Sequence, residues 1–284
     1  MKVVTTLREF QTARATLQGT VGFVPTMGYL HDGHLSLARL ARESCGSVVA
    51  SIFVNPTQFA PTEDLSSYPR DLDRDLELLE KEGVDLVLAP SDNDEFYPAG
   101  YATWVDVAGI TQKLEGASRP THFRGVTTIV AKLFNIVRPQ RAFFGQKDAQ
   151  QALVIRRLIC DLNFDIELIL GPTIREPDGL AMSSRNAYLT PGQRAAAPIL
   201  RRCLDRVEAL YADGERNGEN IRHAMRDILQ AEPLALPDYM SVADLDTLEE
   251  LETITGKALV SLAVRFGSTR LIDNTVLPPG GELL

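Results

Sequence analysis

From Val21 to Leu170 the chain alternates short apolar runs with stretches patterned as helices, and no other feature restricts its fold so tightly. The runs are Val21-Gly22-Phe23-Val24, Val48 to Val54, Val84 to Leu88, the very short Ala142-Phe143-Phe144, and Ile166 to Leu170. Between them Leu37, Leu40 and Ala41, then Leu72, Leu76 and Leu79, then Ile129, Leu133 and Ile136 fall at helical spacing, and Ala149 to Leu162 is helical again. Strands separated by helices are joined by crossovers and run parallel, and their apolar runs need cover on both faces. The expectation is an α/β fold, a parallel sheet with helices on both faces. Gly83 and Pro139 stop two of the helices. Thr103-Trp104-Val105-Asp106-Val107 reads as one further short strand.

Past Thr190 the pattern changes. Pro191 to Tyr211 and Gly218 to Gln230 read as charged amphipathic helices. The strands that follow crowd together: Asp238 to Val242, Ala258 to Phe266 and Thr269 to Ile272, with Gly267-Ser268 as a hairpin turn. This is α+β organisation with a short antiparallel sheet, so two domains are expected, residues 1–175 and 176–284. A chain of 284 residues is long enough for both cores. A formal charge of −9 with no Lys/Arg-rich block argues against a nucleic-acid partner. It leaves room for a small anion, because a local site can be positive on an acidic protein. Cys45, Cys160 and Cys203 are too scattered for a disulfide framework or a zinc site. With no stretch suited to a signal peptide or a membrane span, the cytoplasm is the expected compartment.

Pro25-Thr26-Met27-Gly28-Tyr29-Leu30-His31-Asp32-Gly33-His34 lies where the first of these strands turns into a helix, the mouth of the ligand crevice in an open α/β sheet. A helix start offers N–H groups and the positive end of its dipole to an anion, and Gly28 and Gly33 let a phosphate come close. A lone histidine is usually a packed or solvated residue. Two of the chain's four in one turn, with glycine between them, are harder to assign to packing. With no third metal ligand nearby, His31 and His34 read as N–H donors toward a phosphate chain. Gly145-Gln146-Lys147-Asp148-Ala149-Gln150-Gln151 follows the Phe143-Phe144 strand. Lys147 brings a point charge for phosphate and Asp148 a helix cap, a pattern equally consistent with a solvated Lys/Asp pair. Thr173 to Asn186 ends in Met182-Ser183-Ser184-Arg185, two hydroxyls and a guanidinium at the domain junction; alone it reads as a linker held by Ser/Thr turns. Together the three stretches supply what is needed to bind a nucleoside triphosphate and stabilise transfer of its α-phosphorus. No carboxylate cluster reads as a general base, and a nucleophile that is already a carboxylate needs none. Asp75 is a conceivable magnesium ligand, but Leu72 to Glu82 reads better as a helix with a solvated acidic face.

These stretches, with Asn55-Pro56-Thr57-Gln58-Phe59, Tyr68-Pro69-Arg70, His122-Phe123-Arg124-Gly125-Val126 and Gly179 to Asn186, closely resemble the pantoate–β-alanine ligase family, in order and over essentially the whole chain. The HxGH element alone would indicate only the wider class of HIGH-type nucleotidyltransferases and synthetases. The resemblance implies a Rossmann-like domain for ATP and pantoate, a smaller C-terminal α+β lid domain, and a homodimer. It also implies a ligation in two steps. Pantoate's carboxylate attacks ATP to give pantoyl adenylate and pyrophosphate, with Mg2+ on the phosphates, and the β-alanine amine then displaces AMP. By position, Met27, Gly28, Tyr29, Leu30, His31, Asp32, Gly33 and His34 line the ATP site, and His34 matches the family's proton donor. Gly145, Gln146, Lys147 and Asp148 contact the nucleotide, Ile174 its base or ribose, and Met182, Ser183, Ser184 and Arg185 form a mobile phosphate loop. Gln58 and Gln151 bind pantoate. His31, His34, Lys147 and Arg185 are the catalytic set. The loop Gln58 to Tyr68 has the length and position of a lid that would keep water from the acyl adenylate.

Other readings fare worse. Acidic charge without a basic appendage weighs against a tRNA synthetase. A nucleotide sensor has no need of His31, His34, Lys147 and Arg185 together. No GxGxxG follows the first strand, as a dinucleotide-dependent dehydrogenase would require.

Overall fold

The structure, a computed structural model, describes residues 1–61 and 63–284 and divides into two compact units. The first comprises Met1–Gly145 and Val154–Pro172, the second Gln146–Leu153 and Thr173–Leu284. The first unit is built on six parallel strands, β1 (Lys2–Val4), β2 (Val21–Thr26), β3 (Ser47–Ile52), β4 (Leu86–Leu88), β5 (Arg141–Gly145) and β6 (Glu167–Gly171), in the order β1-β4-β3-β2-β5-β6. Its helices are α1 (Leu7–Arg14), α2 (Asp32–Ser44), α3 (Leu72–Lys81), the single turn α4 (Glu115–Ser118) and α5 (His122–Val137), and α6 (Ala149–Asp161) crosses from the second unit into the first. Successive strand residues face opposite ways. Val49, Ala142 and Phe144 pack with apolar residues of α1, α5 and α6, whereas Val48, Ala50 and Phe143 pack with those of α2 and α3. The parallel sheet with helices on both faces therefore forms as the alternation of runs predicts.

The strand order reverses at β2, from which the chain proceeds to β3 on one side while β5 lies on the other. Among the described residues β2 and β5 pair at Gly22–Arg141 and Phe23–Ala142, so the ladder does not continue to their carboxyl ends. Such a switch point is where open α/β sheets take their ligands. The turn carrying His31 and His34 leaves β2 there, and β5 ends there at Gly145.

The second unit packs α7 (Pro191–Ala196), α8 (Ile199–Ala212) and α9 (Gly218–Gln230) against an antiparallel sheet of β7 (Leu236–Asp244), β8 (Ala258–Phe266) and β9 (Thr269–Leu277). The hairpin turn at Gly267 is confirmed: Phe266 pairs with Thr269, and Gly267 has φ +63°, a region open to glycine. No helix among the described residues is long and apolar enough to cross a membrane.

Three parts of the chain differ from expectation. Thr103–Val107 is not a strand. Val105 donates its N–H to Thr128 Oγ1 at 3.0 Å and accepts the Thr127 hydroxyl at 2.6 Å, so side chains of α5 satisfy its backbone in place of a neighbouring strand. The helix expected from Pro191 to Tyr211 is two, because Pro198 has no N–H to continue the ladder. At the start of the chain, β1 and α1 carry too few apolar residues to register as periodic, and both rest on tertiary contacts of Val4, Phe10 and Ala13.

Candidate active site

The turn after β2 is held by its own side chains. His31 is the N-cap of α2: its Nδ1 accepts the Gly33 amide at 3.1 Å, while His34 Nδ1 accepts the His31 amide at 3.3 Å. The rings lie 4.0 Å apart, centroid to centroid, tilted by 37°. A ring nitrogen that accepts a hydrogen bond carries no proton, so in the neutral form each imidazole bears its hydrogen on Nε2. Both histidines thus present an Nε2–H donor, the protonation that suits a phosphate oxygen. Gly33 is required because a Cβ there would lie 2.9 Å from the His31 ring.

The carboxylate of Asp75, on α3, accepts the Tyr29 amide at 2.6 Å and the Leu30 amide at 2.7 Å, and the residue is 1% exposed. This overturns the reading of Asp75 as part of a solvated acidic face. Helical periodicity in fact sets it beside Leu72 and Leu79, three residues before and four after, on the apolar stripe of α3, while Asp73 and Glu77 point the other way. Burial raises its pKa, against the pull of the two amide donors.

Gln58 is framed by a buried asparagine. Asn55, 1% exposed, donates through Nδ2 to Gln58 Oε1 and to the Gly125 carbonyl, both at 3.1 Å. Its Oδ1 accepts from the Tyr97 hydroxyl at 2.8 Å and the Thr57 hydroxyl at 2.9 Å. Gln58 Nε2 donates to Met27 Sδ at 2.8 Å, which joins the glutamine to the turn after β2. On the main-chain side, the Gln58 carbonyl faces His122 Nδ1 at 2.9 Å and accepts from Arg119 Nη2 at 3.3 Å. Burial, with Arg119 nearby, lowers the His122 pKa to about 4, so the imidazole is neutral and its Nδ1–H is the donor. Arg119 also grips Glu63 at 2.6 and 2.9 Å; burial works to raise the Glu63 pKa, but the guanidinium bonds outweigh it and hold the carboxyl low. Of the loop Gln58 to Tyr68, expected to act as a lid, Thr62 lies outside the described residues. Around it Phe59 and Tyr68 are buried and pack edge to face.

Within the second unit, Gln146–Asp148 is a single 3-10 turn leading into α6, and the Lys147 ammonium lies 3.8 Å from Asp148. Asn274 on β9 donates to the carbonyls of Gln146 at 3.1 Å and Lys147 at 2.8 Å, fixing the turn that carries the lysine. Gln150, not Gln151, is the buried member of the glutamine pair.

The segment leading to Met182–Arg185, the loop expected to be mobile, carries several hydrogen bonds and ion pairs. Arg175 and Ala181 bridge as a small hairpin, with Gly179 at φ +90°, and Ile174 accepts the Met182 amide at 2.9 Å. Arg175 makes a bidentate pair with the buried Asp273 at 2.6 and 2.9 Å. Arg194 reaches Glu176 at 2.5 Å and Asp178 at 2.6 Å. Ser183 caps the following turn by accepting the Arg185 amide at 3.2 Å, and Ser184 is buried. Arg175, Asp178 and Glu176 lie in the sequence as an ordinary charged linker; their partners are remote in the chain and leave no local signal.

The family model for pantoate-beta-alanine ligase matches residues 2–276. The chain belongs to the pantoate–β-alanine ligase family. It is 63% identical to the pantothenate synthetase of Roseiflexus sp. (strain RS-1) over 277 residues, covering 98% of this chain and 99% of that one. With the pantothenate synthetase of Chloroflexus aggregans the identity is 57% over 278 residues, covering 98% and 100% of the two chains. In three dimensions it resembles the crystal structure of pantothenate synthetase from Thermus thermophilus, with a TM-score of 0.92 and 49% identity over 96% of this chain and 98% of that one. The Francisella tularensis ligase, whose crystal structure is a complex with β-γ ATP and β-alanine, gives a TM-score of 0.77 at 32% identity, with 97% of each chain covered. Within the ligase family, Asp75, Asn55, His122 and Asn274 are the residues that sequence reading left without a role. Each hydrogen-bonds another residue's backbone or amide, and pattern alone does not expose such a contact.

Proposed function

We propose that the chain condenses pantoate with β-alanine at the expense of ATP through a pantoyl-adenylate intermediate. The observation that carries this reading is the reciprocal capping of His31 and His34. It directs both ring protons to Nε2 on a turn at the sheet's switch point, where N–H donors suit the oxygens of a phosphate chain. In the first step a pantoate carboxylate oxygen bonds to the α-phosphorus of ATP, and the bond to the pyrophosphate oxygen breaks. In the second, the β-alanine amine attacks the acyl carbon. The C–N bond forms, the C–O bond to AMP breaks, and the amine gives up a proton.

In this reading His31 and His34 hold the phosphates, with His34 the family's proton donor by position, and the framed amide of Gln58 takes pantoate's hydroxyls or carboxylate. For the second unit the assignments rest on the resemblance. Lys147 and Arg185 neutralise charge on the transferring and leaving phosphates, Gln151 binds pantoate, and Ile174 meets the base or ribose. Met27 to His34, Gly145 to Asp148 and Met182 to Arg185 form the nucleotide-binding backbone. Magnesium enters with ATP, on its phosphates, as the family resemblance implies. The same reading carries a homodimer in the cytoplasm, with domain 1–175 for substrates and 176–284 as the lid domain.

The test is ATP–pyrophosphate exchange. Exchange should require pantoate, and AMP should appear once β-alanine is added; exchange without pantoate would overturn the substrate assignment.

A further inference from the structure

The turn that bears the two histidines departs from easy backbone geometry. Gly28 has φ +83° and Tyr29, which is not glycine, has φ +50°, so two consecutive residues stand in the left-handed region. For Tyr29 that conformation is unfavourable and persists only where the surroundings impose it. What imposes it is on α3. Asp75 spends both carboxylate oxygens on the amides that follow, Tyr29 and Leu30, at 2.6 and 2.7 Å. A Cβ on Gly28 would sit 3.0 Å from Asp75 Oδ2 and 3.1 Å from Ile52 Cγ2, so the backbone is pressed close to this carboxylate. Arg74, next to Asp75 in the chain, lies with its guanidinium 5.5 Å from the centre of the Tyr29 ring and 3.7 Å from Asp75 Oδ1. Leu30, 1% exposed, anchors the end of the turn in the core, and His31 follows as the helix cap.

We propose that Asp75 is a positioning residue of the ligation: its buried carboxylate locks the Tyr29–Leu30 backbone in the conformation that delivers the Nε2–H groups of His31 and His34 to the nucleotide. The carboxylate touches no substrate and acts through the turn. This rests on the reading of that turn as the ATP site. An amide at this position would keep the size but lose one acceptor and set an NH2 group against a backbone N–H. The turn would then relax toward ordinary φ values and carry the histidines with it.

The experiment compares steady-state kinetics of the parent, Asp75→Asn, Asp75→Asn with Tyr29→Gly, and His34→Ala, using MgATP, pantoate and β-alanine. Asp75→Asn should lower kcat/KM for MgATP by a hundredfold or more. Tyr29→Gly in that background should recover at least tenfold of the loss, because glycine adopts positive φ without a clamp; a merely structural defect would not be repaired by a glycine. Asp75→Asn within threefold of the parent, or a double variant no better than the single, would overturn the role. Hydrogen exchange on the parent protein tests the clamp independently, even if Asp75→Asn does not fold. The Tyr29 and Leu30 amides should be protected without nucleotide and unchanged by MgATP, whereas fast exchange, or protection that appears only with MgATP, would overturn the clamp. If His34→Ala keeps full activity, the ATP-site reading itself fails; if His34→Ala is inactive while Asp75→Asn is not, only the positioning role fails.

Discussion

At the scale of single residues, the site depends on groups whose work is to aim other groups. His122 is held neutral with a pKa of about 4, against 6.5 for the free side chain. Between those values the unfolded chain binds more protons than the folded one, so stability rises with pH through this window. The contribution is complete above about pH 6.5 and is lost as pH falls toward 4, at most about 3 kcal/mol. Chemical denaturation across that range should show the slope, and His122→Asn, which keeps a donor for the Gln58 carbonyl, should flatten it. Gly125 makes a second case. A Cβ there would lie 2.4 Å from the Thr57 carbonyl oxygen and 2.6 Å from the Gln58 nitrogen. Gly125→Ala should therefore cost about 1–3 kcal/mol by overpacking and raise the KM for pantoate more than that for MgATP, since it pushes on the segment that frames Gln58. An equal rise for both substrates would count against the assignment of Gln58. Of these residues the histidine pair could be singled out from type and spacing, and Gln58 only through the family resemblance. Asn55 and His122 lie in motifs that carry the resemblance, yet their supporting contacts, like those of Asp75, join groups that only the fold brings together.

At the scale of elements, the helices and most strands follow from periodicity, and the exceptions have local causes. Pro198 divides α7 from α8, and the threonines of α5 take over the backbone groups of Val105. The hairpin from Arg175 to Ala181 is the element whose character changes most, from a stretch that reads as a linker to a bridged and ion-paired turn. Its main fastening is the Arg175–Asp273 pair, in which the aspartate is 2% exposed. Removing one partner of such a pair strands the other, so Asp273→Ala should lower the unfolding free energy by about 3 kcal/mol. A loss below about 1 kcal/mol in a denaturant titration would mean that the hairpin is held chiefly by Arg194, Glu176 and Asp178, whose exposed pairs are worth less.

At the scale of the whole molecule, ligand binding should be visible as stability. A ligand that binds only the folded chain adds about 2.7 kcal/mol at a hundred times its Kd, which for a chain of this size is a Tm rise of roughly 5 °C. MgATP should give such a shift in the parent protein and a much smaller one in His34→Ala or Lys147→Ala. Both variants should keep the unliganded Tm within a few degrees, because neither side chain belongs to an apolar core. A full MgATP shift in both would remove them from the nucleotide site.

The sequence by itself determined the parallel sheet, the antiparallel hairpin near the end of the chain, and the family, because these are written in spacing: period two or a helical period for elements, and fixed motifs for the site. It also placed the histidine turn at a strand-to-helix junction. The tertiary structure alone decided that the junction lies at the sheet's switch point, since strand order is a matter of which edges meet. It also decided which ring nitrogens carry the protons, and that a carboxylate from a separate helix clamps the turn in a left-handed conformation. Those outcomes depend on groups distant in the chain finding one another. Asp75 and Tyr29, 46 residues apart, share a hydrogen bond that no local pattern encodes.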